Sequence, residues 1–493
     1  MSENKYVLAM YDIRAKQNFI FKTNYLQEII GASGIIEDCF RDYLYPASEK
    51  ISVKGIFHKD EDFSKENFEK HLSEGYIGEV VYEGGGNFLL LYKDIDAYYD
   101  TTYQFTKDIL EKVPSLSLLP SFIEGVDFDD YNSDRKKLYD VHRKDENEES
   151  NIAPWATLPI VQVDRKTSMP LTNSDKGEKL SKESYEKRKK RKEIGKRESR
   201  DESDKDVYED ELDLLVRRKG EDSLLAIVYI DGNSMGAKVQ ARTNGKKTYS
   251  ECVSALRTFS KEIQKDYIDD RIKDIERKLS GGGKFRKVLG AGDEINFICN
   301  AHDAFDLATA YLEGLPKGCS SCAGIAVFHS HAPYSDVYRI AEECCESGKT
   351  KMKELGLREA CFIDFHYCQG AIDVSLDRIR EKENTKYSSR PWLIKGEAED
   401  VNNLTKISDV RKILNYLNVL GRSNVKGLAG KAKEGLTELK LDLSRISAHM
   451  SQEDKDKAKK YLDISKITSK EQKMIYDIVL FYDLWFGGES NEL

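Results

Sequence analysis

Three acids in this chain stand where a phosphoryl-transfer site would want them. Asp231 ends the apolar run LLAIVYIDGNSMG (224–236), and Asp293 and Glu294 occupy the middle of VLGAGDEINF (288–297). The first segment reads as a buried strand and the second as a β-hairpin with a tight turn. Carboxylates at a strand end and on a neighbouring turn are hard oxygen ligands. Two Mg²⁺ ions about 3.5–4 Å apart, held this way, help a 3′-hydroxyl lose its proton and neutralise a departing pyrophosphate. Mg²⁺ takes few ligands from protein, so Asp231 and Asp293 would serve as bridging carboxylates, with the carbonyl of Gly232 completing the set. Glu294 ranks below Asp293, either as a ligand or as a group beside the attacking hydroxyl.

The residues around these acids suit a nucleotide. Gly290, Ala291 and Gly292 keep the hairpin turn free of bulk, so a ligand can come close. Gly232 and Gly236 bracket a strand-to-helix junction that also contains Asn233, Ser234 and Met235. Backbone N–H groups there can hold phosphate oxygens, and Asn233 could meet a sugar hydroxyl. Lys349 lies near the end of a helix expected beside the site and is a candidate triphosphate clamp. Each feature alone has an ordinary explanation: strand-end acids, surface hairpin acids and helix lysines are common. Their order within one module is what points to chemistry.

The same layout occurs earlier without the acids. YVLAMYDI ends near Asp12, and VVYEGGGNFLLL (80–91) is a hairpin whose turn is Gly84, Gly85, Gly86, Asn87. The expected elements are a strand over 5–13, a helix over 23–45, the hairpin over 79–92 and a helix over 96–113. The second module repeats them with a strand from 223, a helix over 248–279 ended by Gly281–Gly283, a hairpin over 286–299 and helices over 302–313 and 335–353. Strands at Ala323–Phe328 and 361–367 complete it. Strand, helix, hairpin, helix is a ferredoxin-like or palm order. The expected fold class is therefore α+β: two ferredoxin-like palm domains, a small connecting region and a C-terminal helical domain. The expected divisions are 1–144 for the first module, with its acid-free turn, and 145–222 for the connecting region with a charged insertion. The second module takes 223–385, and 386–493 form the helical domain, where Val410, Ile413, Leu414 and Leu417 keep a helical period.

Composition narrows the classes. With 39% hydrophobic and 33% charged residues the chain is globular and polar, and no apolar run approaches the roughly 20 residues of a membrane span. The N-terminus lacks the basic stretch and apolar core of a secretion signal, so the cytoplasm is expected. A net charge of −9 argues against a chain that coats nucleic acid over its whole surface. The run KRKKRKEIGKR lies in a stretch, 176–206, with almost no apolar period, which reads as a solvated helix, a mobile insertion or a nucleic-acid contact. Nine cysteines are scattered. Cys319 and Cys322 form a CxxC followed by Cys344 and Cys345, which read as buried free thiols, and no zinc is expected.

IDGNSMG with GAGDE, then AGIAVFHSHAPYSDVYRIAEECCESGK and FIDFH, resemble the cyclase palm of the large subunit of type III CRISPR effector complexes, itself related to GGDEF nucleotide cyclases. DIRAKQNFIFKTNYLQEIIGAS with EGGGN is similar to that family's first palm, and YSSRPW to its C-terminal region. The resemblance implies that ATP binds between two palms and is joined through 3′–5′ bonds into cyclic oligoadenylates, with Mg²⁺ or Mn²⁺, as a messenger of antiviral defence. It implies partners too: other effector subunits with guide RNA and target RNA. The family's GGDD turn falls on Ala291, Gly292, Asp293 and Glu294, its strand-end acid on Asp231, and the GGDEF-type phosphate lysine on Lys349. The first turn, GGGN, would bind nucleotide without catalysing, and Asp12 belongs to that site. The sole adjacent His-Asp pair, His302-Asp303, falls inside the second module, so no HD nuclease is expected. The C-terminal basic residues Arg422, Lys426, Lys431 and Lys433 read as a solvated face or an RNA contact. Two alternatives stay open: a stand-alone palm enzyme making another cyclic or adenylylated signal, and a catalytically silent scaffold or nucleotide sensor.

Overall fold

YVLAMYDIR is apolar on both faces, so it needs neighbours on both edges and cover on both sides. It has them. In the computed structural model it is strand β1 (Tyr6–Arg14), the second-last strand of a five-stranded sheet with β2 (Ile56–Phe57), β3 (Gly78–Gly84), β4 (Asn87–Tyr92) and β5 (Ser117–Val126), in the order β2-β3-β4-β1-β5. β1 is antiparallel to both β4 and β5, and Asp12 lies opposite Asn87. Helix α1 (Leu26–Glu37) follows β1, α2 (Ile95–Lys112) follows the β3–β4 hairpin, and α3 (Tyr131–Glu148) follows β5. The structure describes residues 6–58, 62–84, 86–148, 160–165, 167–198, 215, 223–279, 284–370, 374–383, 388–397 and 404–486. Gly85, residues 149–159 and the triple glycine at 281–283 lie outside them. The described residues form a mixed α/β fold with several sheets, divided between two compact units.

The first unit comprises Met1–Asp206, Ser234–Asp270 and Lys287–Ile295. Its sheet is covered on both faces because side chains alternate along a strand. Leu8, Met10, Leu89 and Leu91 pack with Tyr131 and Leu138 of α3. On the opposite side Tyr11 bonds Tyr92 at 2.9 Å and Thr102 of α2 at 2.7 Å. The unit also holds a short hairpin, β6 (Leu171–Asp175) with β7 (Glu178–Ser181), and the basic helix α4 (Lys182–Glu198). Two further helices belong to it, α5 (Met235–Thr243) and α6 (Tyr249–Ile263), the latter started by a Thr248–Glu251 capping box. Tyr249, Cys252, Val253 and Leu256 of α6 enter the core beside β1 and β4. Arg257 fastens α6 to β3 through Glu79 at 2.8 Å, and Glu79 also meets His71 at 2.9 Å.

α4 differs from the sequence expectation of a solvated or mobile stretch. It packs against α1 so closely that the backbone carbonyl of Lys187 fills the space where a side chain on Gly31 would begin. Four residues of its basic run, Lys187, Arg188, Lys190 and Arg191, are buried. Lys187 donates to the Phe19 carbonyl at 2.7 Å and pairs with buried Glu183 at 3.0 Å. Arg188 reaches Glu28 at 2.8 Å, and Lys190 reaches Asp38 at 2.7 Å. Ion pairing replaces apolar periodicity as the means of docking this helix.

The second unit comprises Val207–Asn233, Arg271–Arg286 and Asn296–Leu493. Its sheet is built on β8 (Leu224–Gly232), with the hairpin strands β9 (Phe285–Ala291) and β10 (Glu294–Asn300), then β11 (Ser321–His329), β12 (Cys361–Tyr367), β13 (Trp392–Lys395) and β14 (Thr405–Lys406). The order is β14-β13-β12-β11-β8-β10-β9. The hairpin tip, Lys287–Ile295, groups with the first unit. β8 runs antiparallel to β11, which places Asp231 opposite Cys322. Helices α7 (Ala304–Gly314) and α8 (Tyr334–Glu354) cover the sheet. α8 approaches β11 at Gly324, where an added Cβ would lie 2.5 Å from the Cys345 nitrogen and 2.9 Å from the Cys344 Cβ. Beyond β14 the chain is helical: α9 (Ile407–Leu420), α10 (Leu428–Glu434), α11 (Leu436–Ala448), α12 (Gln452–Tyr461) and α13 (Ser469–Leu480). These helices meet the sheet through an aromatic cluster in which Phe365 touches Trp392 and Trp485 at 4.9 and 5.0 Å. Arg390 also reaches buried Asp477 at 3.1 Å. No helix among the described residues is long and apolar enough to cross a membrane.

Candidate active site

The candidate residues fall into two groups, one in each unit. The first group surrounds a cavity of about 900 Å³. The turn after β9 enters it with Gly290, Gly292, Asp293 and Glu294, and the turn after β3 enters it with Gly84, Gly86 and Asn87. Met235 and Gly236, at the start of α5, also line it. Gly292 has φ +65°, a conformation glycine adopts freely, and the Asp293 that follows sits at the apex. At Gly236 an added Cβ would meet nothing within 4 Å, so that helix start is open to a ligand.

Other residues give the cavity its character. Lys16, Arg135, Lys261 and Lys287 bring positive charge to its wall, and Glu37, Glu83 and Asp269 bring further carboxylates. Phe40, Tyr82 and Phe259 add aromatic surface. Burial raises the Tyr82 phenol to about 12, with the charges of Tyr139 and Asp293 adding to the effect. Burial likewise raises Glu83, against the pull of His58 and Arg41. A cavity of this size falls in the range of about 300–1,000 Å³ used for small ligands. Cations and N–H groups can hold phosphates there, and the aromatic faces can hold a base.

The second group lies at the end of β8. Asp231 forms an ion pair with Lys349 of α8. Both side chains are partly buried, at 27% and 17% exposure, so the pair is screened less than a surface pair would be. Burial alone would lower Lys349. Asp231, with a contribution from the Cys345 side chain, outweighs it and holds the ammonium above its ordinary value. Gly232 is paired in the strand opposite Ser321.

Two expected contacts are placed otherwise. The Asn233 side chain is 1% exposed and donates to the Ala360 carbonyl at 2.9 Å, while its backbone N–H donates to the Ser320 carbonyl. It anchors the turn inward and offers no face to a sugar. Asp12 is not among the cavity-lining residues; its carboxylate lies 3.6 Å from His142 of α3. Burial raises Asp12, while Lys16 and His142 oppose the rise. Ser234, at φ +58°, makes the sharp entry into α5. Of Ala291 the structure describes the strand alone, and Gly85 lies outside the described residues. Lys16, Glu37, Tyr82 and Arg135 were absent from the sequence expectations, because no period or motif tells which polar or aromatic side chains of a helix or strand will face a common cavity.

The remaining chemistry-bearing groups have structural partners. His302 meets the Leu484 carbonyl at 2.9 Å. Arg422 and Lys426 pair with Asp483 at 2.7 and 2.9 Å, Lys431 pairs with Glu434 at 2.7 Å, and Lys433 lies over the Tyr476 ring. Cys322, Cys344 and Cys345 are buried; Cys345 donates to the Cys322 carbonyl at 3.1 Å, and burial pushes the Cys322 thiol up to about 12. Among the described residues no three His, Cys, Asp or Glu side chains come together as a metal-binding group.

No family model matches this chain, and no curated protein matches it. Solved structures do. A chain of the Csm1–Csm4 subcomplex in the type III-A CRISPR-Csm interference complex matches at TM-score 0.51 and 12% identity, over 97% of this chain and 70% of that one. The Csm1–Csm4 cassette in complex with pppApA matches at TM-score 0.51 and 12% identity, over 97% and 69%. Against the cassette in complex with AMPPNP, at TM-score 0.46 and 12% identity, 73% of this chain is covered and it spans 54% of that chain's length. At such identities the likeness is one of fold.

Proposed function

We propose that this chain is a nucleotidyltransferase that joins ATP through 3′–5′ bonds into cyclic oligoadenylates. In this reading it is built from two palm modules and works with other subunits of a type III CRISPR effector complex that carries guide and target RNA. The observation that carries the reading is the turn Ala291-Gly292-Asp293-Glu294 opening on a polar cavity of about 900 Å³, with the acid-free turn Gly84–Asn87 on the same cavity. The fold likeness to a cassette described with pppApA supports adenylates as the substrate class.

Asp293 and Glu294 present hard oxygen donors at the cavity, which suits Mg²⁺ or Mn²⁺; such an ion takes one or two carboxylates from protein and the rest of its shell from phosphates and water. Asp231 and the Gly232 carbonyl are the other proposed ligands. When bound, the metal supplies Lewis-acid stabilisation of the triphosphate and acidifies the attacking hydroxyl. The chain's own residues do the rest. Lys16, Arg135 and Lys261 neutralise phosphate charge, and the N–H groups around Met235 and Gly236 orient it. Phe40, Tyr82 and Phe259 hold the base. Glu294, beside Asp293, takes the 3′-hydroxyl proton as the oxygen attacks the α-phosphorus and pyrophosphate leaves.

The test is direct. The purified chain is incubated with Mg²⁺ or Mn²⁺ and each nucleoside triphosphate in turn, alone and with partner subunits, guide RNA and target RNA. Products are identified by mass spectrometry. Cyclic or linear 3′–5′ adenylates that vanish in Asp293→Ala and Asp231→Ala support the reading. Silence of the wild type in every condition, with ATP binding retained, would replace it with a nucleotide-sensing scaffold.

A further inference from the structure

The N-terminal module, whose own turn carries no acid, places one carboxylate on the hairpin that bears the acids. Glu37 is the last residue of α1. Its carboxylate accepts from the backbone N–H of Gly290 at 3.2 Å and lies 3.5 Å from the Lys287 ammonium. Gly290 and Lys287 lie on β9, one and four residues before Ala291, which begins the turn. β9 is the edge strand of its sheet, so some of its N–H groups face away from any ladder partner. Glu37 closes one of these, immediately before the turn. It also lines the cavity together with Gly290, Gly292 and Asp293.

Glu37 is itself held. The next residue, Asp38, pairs with buried Lys190 of α4 at 2.7 Å, and Lys190 also pairs with Asp42. Upstream in α1, the Gly31 contact with the Lys187 backbone fixes the distance between the two helices. A short chain of rigid contacts therefore runs from α4 through the end of α1 to Gly290, and from there by two peptide bonds to Gly292.

We propose that Glu37 is a positioning residue for the reaction at the Asp293–Glu294 turn: by accepting from Gly290 and pairing with Lys287 it fixes where that turn stands in the cavity. The inference rests on the reading of this turn as the reactive one. It gives the acid-free module a task beyond binding nucleotide. A misplacement of about 1 Å at a reacting group can cost on the order of 10²-fold in rate, so a contact one residue from the turn is a sensitive place to hold it.

Three variants separate this role from a merely structural one. Glu37→Gln keeps a carbonyl acceptor for the Gly290 N–H and loses the ion pair. Lys287→Met loses the ion pair and keeps the acceptor. Glu37→Ala loses both. Two readouts are taken on each: hydrogen exchange of the peptide covering 287–295, which needs no turnover, and steady-state adenylate synthesis in the full effector assembly. Positioning predicts exchange about fivefold faster in Glu37→Ala, the loss of one hydrogen bond, and a smaller rise, about twofold, in Glu37→Gln and in Lys287→Met, which lose only a part-exposed ion pair. It predicts kcat down by about tenfold or more in Glu37→Ala at nearly constant KM for ATP, since the interaction matters in the transition state. Glu37→Gln rescues kcat to within about threefold of wild type. Unchanged exchange in Glu37→Ala overturns the proposal, and so does a Gln variant as slow as the Ala variant. If exchange responds as predicted while the wild type makes no product in any condition, the contact stands and the cyclase reading is what fails.

Discussion

Replacing Gly324 with alanine tests whether the closeness of α8 to β11 sets the second cluster. Gly324 lies in the middle of β11, and an added Cβ would stand 2.5 Å from the Cys345 nitrogen and closer still to the Ala341 carbonyl oxygen. An ordinary contact needs about 3.5 Å, so helix and strand must part by roughly 1–1.5 Å. The helix buries five large apolar side chains, Tyr334, Val337, Tyr338, Ile340 and Met352. At roughly 2 kcal/mol each their burial is worth about 10 kcal/mol. A gap of 0.5–1 Å forfeits about a quarter to a half of the contact energy, which bounds the loss at about 5 kcal/mol; relaxation of side chains around the gap brings it toward the usual cost of overpacking, about 1–3 kcal/mol. For a unit of this size that is a fall in Tm of roughly 5–10 °C. The Lys349–Asp231 pair sits one helical turn beyond Cys345, so adenylate synthesis should fall as well. Differential scanning calorimetry reads the first effect and mass spectrometry of products the second. Gly430, in an exposed helix with nothing within 4 Å of an added Cβ, is the control: its alanine variant should be neutral or slightly stabilising. If the Gly324→Ala Tm stays within about 2 °C of wild type, the helix does not bear on β11 as argued.

Further perturbations probe the ion pairs. Lys349→Met leaves Asp231 without its cation and should lower stability by about 1–3 kcal/mol in urea titration, with a double-mutant cycle against Asp231→Asn recovering much of the loss. Lys187→Met takes the nearer cation from fully buried Glu183 and leaves it Lys22 at 3.8 Å and the Ser115 hydroxyl at 2.6 Å; the cost should be about 3 kcal/mol, largely relieved by adding Glu183→Leu. His366 is 3% exposed, and burial, with Arg390 and Arg380, lowers its pKa to about 3. The folded state therefore binds fewer protons than the unfolded state between that value and about 6.5. Its contribution is complete above about 6.5 and is lost as pH falls toward 3, with a slope of about 1.4 kcal/mol per pH unit. Denaturant titrations from pH 7 to pH 4 should show that slope, and His366→Gln should flatten it by one proton.

The strands and turns were legible because they follow from short-range rules. YVLAMYDI, LLAIVYI and CFIDFHY are apolar runs bounded by turn residues, and each is a strand. GGGN and AGDE sit between apolar arms, and each is the turn of a hairpin, with positive φ at Gly86 and Gly292. What stayed hidden depends on long-range approach. Asn233 reads as a turn residue free to meet a sugar hydroxyl, and only the neighbouring Ala360 carbonyl shows why it points inward. The helix expected over 248–279 is there, as α6 to Ile263 and again as an α-helix over Asp270–Leu279, but a π-helical turn over Gln264–Asp269 joins the two, a winding that composition does not reveal. Glu37, Lys16 and Arg135 carry no local signal, since a charged residue on a helix is ordinary until what it faces is known.

The basic helix shows why composition misled in one respect and what that implies. A run such as KRKKRKEIGKR has almost no apolar period, so it reads as a solvated helix, a mobile insertion or a nucleic-acid contact. Yet acids on α1 and its surroundings, Glu28, Asp38 and Asp42, stand where the cations arrive. Buried pairs of this kind add little net stability compared with apolar packing, because desolvation offsets the attraction. Their value lies in geometry: a displaced helix would leave several charges buried without partners, at several kcal/mol each. The Gly31 contact removes the remaining freedom, since the Lys187 carbonyl admits no side chain there. Charge therefore fixes the register of α4 on α1, and α1 ends at Glu37. A chain under selection only for stability would have gained more from leucines along that helix. One that must hold a turn to within a fraction of an ångström gains from a contact that tolerates one arrangement.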